Sequence, residues 1–262
     1  MQTFNYEALK IKGNSFQKVN DSLVVEAALQ IDINGEPYTV VMRTPDNDKE
    51  LIRGLLYAED IYKSDEPLNL EIVETSENGF CIVNAVIPKY QLGKGYLNKR
   101  TLLSVSSCGI CGKQKLEDIK LTGNKLKIDT SIMSLNLKNL FFTMQKYQSV
   151  FDKTGGSHAA AIFDLNNDLI AIYEDIGRHN AVDKAVGSLL MQRKLKEAAI
   201  LLVSGRVSYE IISKAFIAKI PVIAAVSACS SLAVDFAKEF GIQLIGFSRD
   251  NDAMVYANAD HL

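Results

Sequence analysis

Residues 198–250 read AAILLVSGRVSYEIISKAFIAKIPVIAAVSACSSLAVDFAKEFGIQLIGFSRD. AAILLVSG is a short unbroken apolar run of the kind a fully buried strand needs, and SYEIISKAFIAK carries its apolar positions at helical spacing. PVIAAVSA is a second strand, SSLAVDFAKEFG a helix closing at Gly241, and IQLIGFSRD a third strand. Strands alternating with helices of this length predict βαβ units and a parallel sheet. Right-handed crossovers then bring the carboxyl ends of these strands to one edge, in the loops SGRVS (204–208), SACSS (227–231) and FSRDN (247–251). Two of those loops open helices, whose unpaired N–H groups attract anions. Arg206 and Arg249 add planar cationic forks suited to phosphate. The strand-end crevice is therefore expected to hold an anionic, nucleotide-like ligand.

Working outward, SHAAAIFDLNNDLIAIYED (157–175) reads as two strands joined at Asn166-Asn167, and LKNLFFTMQKYQSVF (137–151) as one amphipathic helix. The first half is mainly β. LVVEAALQIDING and PYTVVMRT form a hairpin-type pair across Asn34-Gly35, while FCIVNAVIP and, more weakly, KLKID are further strands. DNDKELIRGLLYAEDIY is helical, with Asp46 or Asn47 as its cap. The fold class expected is α/β, a mixed or parallel sheet sandwiched by helices, with a boundary near residue 135 between a β-rich part (1–135) and an α/β part (136–262).

The bulk properties narrow the function classes. The chain has 262 residues, 47% hydrophobic and 23% charged, with a net charge of −2. That balance gives no reason to expect a nucleic-acid partner. No apolar run approaches the roughly 18 residues that a membrane span requires. The first residues, MQTFNYEALKIKGNSFQK, lack the apolar core of a secretory signal, so a cytoplasmic protein is expected. Thiols are kept reduced there, which argues against a structural disulfide.

Polar chemistry concentrates in two further places. YEDIGRHNAVDKAVGSLL (173–190) gathers Glu174, Asp175, Arg178, His179, Asn180, Asp183 and Lys184 around a helix start. Asp175, His179 and Asp183 would share a face if the helix ran through all three. Asp175 is also a candidate cap, and Asp183 and Lys184 a solvated first turn. GGSHAAA (155–161) adds His158 after a glycine pair. The other place is SVSSCGICGKQK (104–115), which holds two of the four cysteines, Cys108 and Cys111. From Asn78 through Leu116 there is no acidic residue, whereas Lys89, Lys94, Lys99, Arg100, Lys113 and Lys115 fall in that window. Such a field lowers a thiol pKa from its usual value of about 8.5 and makes the sulfur nucleophilic. A zinc clamp completed by His158 and His179 fits the C-x-x-C spacing as well, although no second C-x-x-C exists. On the residues alone, zinc and thiol chemistry stand level. Cys81 and Cys229 sit among apolar or small residues, as bland filler.

Taken together and in order, SCGICGK, GGSHAA, DIGRHNAVDK, SGRVSYEIISKA, SACSSLAVDFA and GFSR resemble the formate dehydrogenase accessory sulfurtransferase family, the FdhD-like proteins. MRTPDNDKELIRGLLYAEDI (42–61) is similar to that family's N-terminal signature, in a looser form. SACSS departs from the pattern by carrying Cys229 where the family has proline. The resemblance implies a C-terminal part with a cytidine-deaminase-like fold, and a sulfurtransferase. A cysteine desulfurase would hand sulfur to Cys108, as a persulfide, with Cys111 assisting. The sulfur would then pass to a molybdenum or tungsten bis(guanine dinucleotide) cofactor for formate dehydrogenase. That cofactor is cargo, with no permanently bound cofactor or metal expected. Phe247, Ser248, Arg249, Asp250, Asn251 and Asp252 match the family's cofactor-contacting segment. Ser204, Gly205 and Arg206 join them at the strand ends, with His158, Arg178, His179, Asn180 and Asp183 as further candidates. The resemblance also implies a homodimer. Two alternatives remain beside it: a molybdenum-cofactor chaperone without chemistry, and a zinc enzyme of deaminase type. Against the latter, neither GGSHAA nor GRHNA contains the H-x-E that deaminases need.

Overall fold

The computed structural model describes residues 1–97, 123–127, 136–249 and 252–259. Among these lie twelve strands and six α-helices. The quoted stretch folds as its alternation predicts: β9 (Ile200–Val203), α5 (Tyr209–Ala218), β10 (Val222–Ala225), α6 (Ser231–Phe240) and β11 (Gln243–Arg249). β9, β10 and β11 are parallel neighbours. They are the centre of a six-stranded sheet of order β12-β11-β10-β9-β7-β8, in which β7 (His158–Phe163), β8 (Leu169–Asp175) and β12 (Asp252–Ala257) run antiparallel to their neighbours. Ser230 Oγ caps α6 by accepting from Ala233 N at 3.2 Å, and Gly241, at φ 74°, ends it in the left-handed conformation.

The apolar runs of this sheet are continuous because both faces are covered. Along β9, Leu201 and Val203 face a core shared with Ala181 and Ala185 of α4 (Arg178–Met191) and with Ile211 and Ala233. Ile200 and Leu202 face the opposite core, against Leu140 and Met144 of α2 (Leu137–Lys146).

The first half builds a four-stranded sheet, order β4-β3-β6-β5, from β3 (Ala27–Ile33), β4 (Glu36–Arg43), β5 (Asn69–Thr75) and β6 (Cys81–Val86). The β3–β4 turn has Asn34 at φ 53° and Gly35 at φ 83°, the paired positive angles that match a twisted hairpin. Leu29, Ile31 and Val83 pack on Leu51, Ile52, Leu55 and Leu56 of α1 (Asp48–Ala58). α1 then lies against α4 at backbone contact. A Cβ on Gly54 would come within 1.9 Å of the Asp183 carbonyl oxygen, and one on Gly187 within 1.9 Å of that of Glu50. Glycine is required at both places. Apart from both sheets, β1 (Thr3–Lys12) and β2 (Ser15–Val24) form a two-stranded ribbon.

Several expectations need correction. The helix predicted over 137–151 is two, α2 and α3 (Ser149–Thr154). The break follows from Glu174 on β8, whose carboxylate accepts from Val150 N at 2.9 Å and Phe151 N at 2.8 Å and so caps a fresh N-terminus. Asn47 precedes α1 at φ 60° with no side-chain cap, and Asp46 is left-handed as well. Residues 125–127 of KLKID carry no strand; Ile128 and Asp129 lie outside the described residues. Asp175, His179 and Asp183 do not share a helical face, because Asp175 ends β8 and α4 begins at Arg178. Nor are Asp183 and Lys184 solvated; both are buried.

Lys184 and Asp175 are fully buried and paired, Nζ to Oδ2 at 2.8 Å. Thr44, also fully buried, joins them: its carbonyl accepts from Lys184 Nζ at 2.9 Å, its amide donates to Asp175 Oδ2 at 3.1 Å, and its hydroxyl accepts from Ile176 N. Asn180 Nδ2 adds bonds to Asp175 Oδ1 and to the Met42 carbonyl. MRTPDN is thereby tied to EDIGRHNAVDK. Removing one member of such a pair strands a buried charge. Lys184→Met is expected to lower unfolding free energy by about 3–5 kcal/mol in urea titration, whereas Lys18→Met, which breaks the exposed pair with Glu7, should barely move the midpoint.

Candidate functional site

The loops at the carboxyl ends of β9, β10 and β11 are stitched together by backbone bonds. Val207 N donates to Ala228 O and Ser230 N to Val207 O, each at 3.0 Å, and Phe247 N donates to Ser227 O at 3.1 Å. Ser204 Oγ accepts from Ala159 N at 2.9 Å, fixing the first loop to β7. Arg249 Nε donates to the Val226 carbonyl at 3.3 Å. Phe247 is held at φ 51°, a left-handed conformation in which a bulky side chain is strained and which persists only where the surroundings enforce it.

Beside this edge opens a cavity of about 1410 Å³. One wall is polar and strand-derived: Gly156, Ser157, His158, Ser204, Ser248 and Arg249. The other is helical and largely apolar, with Phe141, Phe142 and Met144 from α2 and Phe151 from α3. Asp252 and Ala253 of β12 close one end. Ser248 is buried, yet its hydroxyl has no hydrogen-bond partner among the described residues. Lys146 Nζ stands 4.4 Å over the exposed Phe142 ring, a cation held at the aromatic wall. A large, partly apolar cleft with a few convergent polar groups suits an extended ligand.

A basic corner adjoins the polar wall. Gly205 lies so close to His158 that a methyl there would sit 3.1 Å from Nδ1 and 3.5 Å from Arg178 Cβ. Arg178 Nε is buried without a partner among the described residues. Burial first, then the charge of Arg178, with His179 and Arg206 adding to it against Asp175, pushes the His158 imidazole below its ordinary pKa. His158 is therefore neutral at pH 7. His179 turns the other way, its Nε2 lying 2.9 Å from Glu210 Oε2 and 3.1 Å from Ser208 Oγ.

Of the residues singled out in the sequence, His158, Ser204, Ser248, Arg249 and Asp252 line the cavity together. Gly205, Arg178 and Arg206 border it through His158, and Phe247 is half-exposed on the strand end. Asn180 and Asp183 bond within the protein instead. Both Asp183 oxygens accept from Lys214 Nζ, at 2.6 and 2.8 Å, so burial pushes this carboxyl up while Lys214 pulls it back. Cys108 and Cys111 lie outside the described residues, as do Asp250 and Asn251. Among the described residues no cluster of three or more His, Cys, Asp or Glu side chains suits a metal ion. The aromatic wall was not anticipated; its one signal is Phe-Phe at 141–142, of which Phe142 breaks the buried stripe of α2. Cys229 faces Gly246, and burial raises its thiol to about 11, while Cys81 is buried on β6 with Thr75 Oγ1 at 3.6 Å. Cys229 is therefore no ready thiolate at neutral pH.

An α/β fold with an anion-suited crevice at its strand ends is the class of protein defined so far. Comparison with known proteins makes it particular. The FdhD/NarQ family model matches residues 24–262, and the chain belongs to that family. A relative from Sulfolobus acidocaldarius, named Sulfur carrier protein FdhD, is 40% identical over 100% of this chain and 99% of its own. One of the same name from Streptomyces coelicolor is 39% identical over 98% of this chain and 94% of its own. In fold the chain matches, with a TM-score of 0.75 and full coverage of both chains at 21% identity, a crystal structure from Desulfotalea psychrophila assigned as a formate dehydrogenase accessory protein.

Two outcomes are expected from this electrostatics. Because the folded-state pKa of His158 is depressed, the unfolded chain takes up this proton first. The stability that neutral His158 contributes is present above its ordinary value of 6.5 and is lost as pH falls through the folded pKa. Denaturant midpoints of His158→Gln should fall less steeply than wild type as pH drops below 6.5. Cys229, held near 11, should alkylate with iodoacetamide at pH 7 far more slowly than a free cysteine, as read by peptide mass spectrometry.

Proposed function

We propose that this protein is a cytoplasmic sulfur carrier that takes persulfide sulfur from a cysteine desulfurase and transfers it to a molybdenum or tungsten bis(guanine dinucleotide) cofactor destined for formate dehydrogenase. The observation that carries the reading is the cavity at the strand ends, with an aromatic wall on one side and His158, Ser204, Ser248 and Arg249 on the other. Its polar wall and the basic corner behind it suit phosphates, and its aromatic wall suits a flat base. The relatives' name, sulfur carrier protein, supports the same reading.

In the first step the Cys108 thiolate attacks the outer sulfur of the desulfurase persulfide. A new S–S bond forms on Cys108, the desulfurase S–S bond breaks, and its cysteine leaves as thiolate. Elimination and setting favour the Cys108–Cys111 pair, and within it the family resemblance makes Cys108 the carrier. Cys81 is buried, Cys229 is held protonated, and the stretch around Cys108 and Cys111 carries lysines and no acid. Cys111 assists acceptance or release. The cofactor is substrate, held while sulfur is delivered.

On this reading residues 1–135 bring the sulfur and residues 136–262 hold the cargo; the described residues that line the cavity run from Asn136 to Ala253. The described residues contain no helix long and apolar enough to cross a membrane. A homodimer completes the proposal.

Native mass spectrometry after incubation with desulfurase and cysteine should find one added sulfur on the wild-type chain and none on Cys108→Ala. Cys108→Ala should keep cofactor affinity and abolish formate dehydrogenase maturation, whereas Arg249→Ala should still accept sulfur and bind cofactor more weakly. Full maturation by Cys108→Ala with loss by Arg249→Ala would instead identify a chaperone without chemistry.

A further inference from the structure

The β1–β2 ribbon is joined to the body only near its base among the contacts described. Gln2 Nε2 donates to the Pro45 carbonyl at 3.4 Å, and Val24 packs where a Cβ on Gly156 would sit. From that base ten cross-strand pairs run out to a turn at Gly13, with no third strand among the described residues. A lone two-stranded ribbon is marginal in water, and most of this one's large apolar side chains are uncovered. At its outer end Leu9, Ile11 and Phe16 are 57, 65 and 65% exposed. Ile11 pairs with Phe16 and Leu9 with Lys18, so the register puts all three on one face. From Ala8 to Val19 the ribbon carries Lys10, Lys12 and Lys18 and no acidic residue.

The complementary surface is on the same chain. Among the described residues β5 is an edge strand of the four-stranded sheet, and it exposes Ile72 at 69% and Val73 at 61%. Around them, residues 65–77 hold Asp65, Glu66, Glu71, Glu74 and Glu77 and no basic residue. An exposed edge with adjacent apolar side chains is a template for another strand. The ribbon offers one, because α3 packs on β2 while β1 pairs with no strand but β2 among the described residues. We propose that the ribbon of one copy adds β1 to the β5 edge of a second copy, its lysines meeting the glutamates and its Leu9–Ile11–Phe16 face covering Ile72 and Val73. The second copy returns the contact, so a two-fold pair closes without leaving either edge free. This inference rests on the homodimer proposed above and names its surface.

Sedimentation velocity of the full chain tests it. Wild type should sediment as a dimer that loosens as salt rises from about 0.05 M to about 1 M, because exposed charges are screened. Ile11→Thr with Phe16→Thr, an exposed cross-strand pair that keeps β-compatible, uncharged side chains, should raise the dimer Kd by about two orders of magnitude, the loss of an apolar anchor pair. A chain with Lys10, Lys12 and Lys18 changed to Glu, and a second with Glu71 and Glu74 changed to Lys, should each be monomeric alone. Mixed, they should form a one-to-one heterodimer, because each ribbon then meets an opposite edge. A wild-type monomer, a dimer indifferent to these changes, or failure of the mixture to associate would overturn the proposal. So would a monomer whose ribbon binds anionic phospholipid vesicles, which would assign the ribbon to a membrane. Sulfur loading of each monomeric variant, read by mass, separates failure of this surface from failure of the carrier reading.

Discussion

A buried charge pair sets the geometry of this protein. Asp175 and Lys184 are out of contact with water, and the pair is tolerable only because Thr44, Gly177 and Asn180 satisfy the remaining donors and acceptors. Two stretches distant in sequence therefore have to meet at one point: the end of β4, and the run from the end of β8 into the first turns of α4. Once they do, α1 is pressed on α4 at glycine distance, β8 presents Glu174 to start α3, and β7, the antiparallel partner of β8, delivers His158 to the strand-end edge. The wall of the cavity is a consequence of that knot. The polar residues of EDIGRHNAVDK that look like a ligand site are in part the fastening that makes one.

This explains which parts of the molecule were legible in the sequence. The parallel core was plain, because strands such as ILLV and VIAA are buried on both faces and leave an unbroken apolar signature. Asn34-Gly35 and Gly241 announced their turns through conformations that those residues favour. β1, β2, β5 and β12 left no such trace. Their outer residues face solvent, so the alternation that marks a half-buried strand is missing. The division of α2 from α3 could not be read either, since its cause is a carboxylate on a strand more than twenty residues away in sequence. Asp183 and Asn180 were read as ligand contacts on polarity alone. Their partners, Lys214 and the Met42 carbonyl, come from distant elements that no local pattern brings near.

The electrostatics of the site divide the labour among like residues. Two histidines lie in neighbouring motifs, yet His158 is held neutral beside arginines while His179 has a carboxylate within hydrogen-bond distance. Cys229 stands near the strand ends with its proton retained by burial, a poor nucleophile despite its position. Sulfur chemistry on the proposed reading then falls to a thiol in a basic stretch, and the cavity serves the acceptor. A carrier needs both in one molecule, because persulfide transfer is a direct attack between sulfur and its recipient.

The most direct measurement of that account is a proximity test between the proposed carrier sulfur and the cavity. Ala253 lines the cavity and is exposed. In a chain lacking Cys111, Cys81 and Cys229, an Ala253→Cys substitution should form a disulfide or short bismaleimide bridge with Cys108 under mild oxidation, and a guanine nucleotide in the cavity should change its rate. If Cys108 never bridges to position 253, yet bridges readily to a cysteine placed at exposed Tyr90, the sulfur and the cavity do not work together and the account is contradicted.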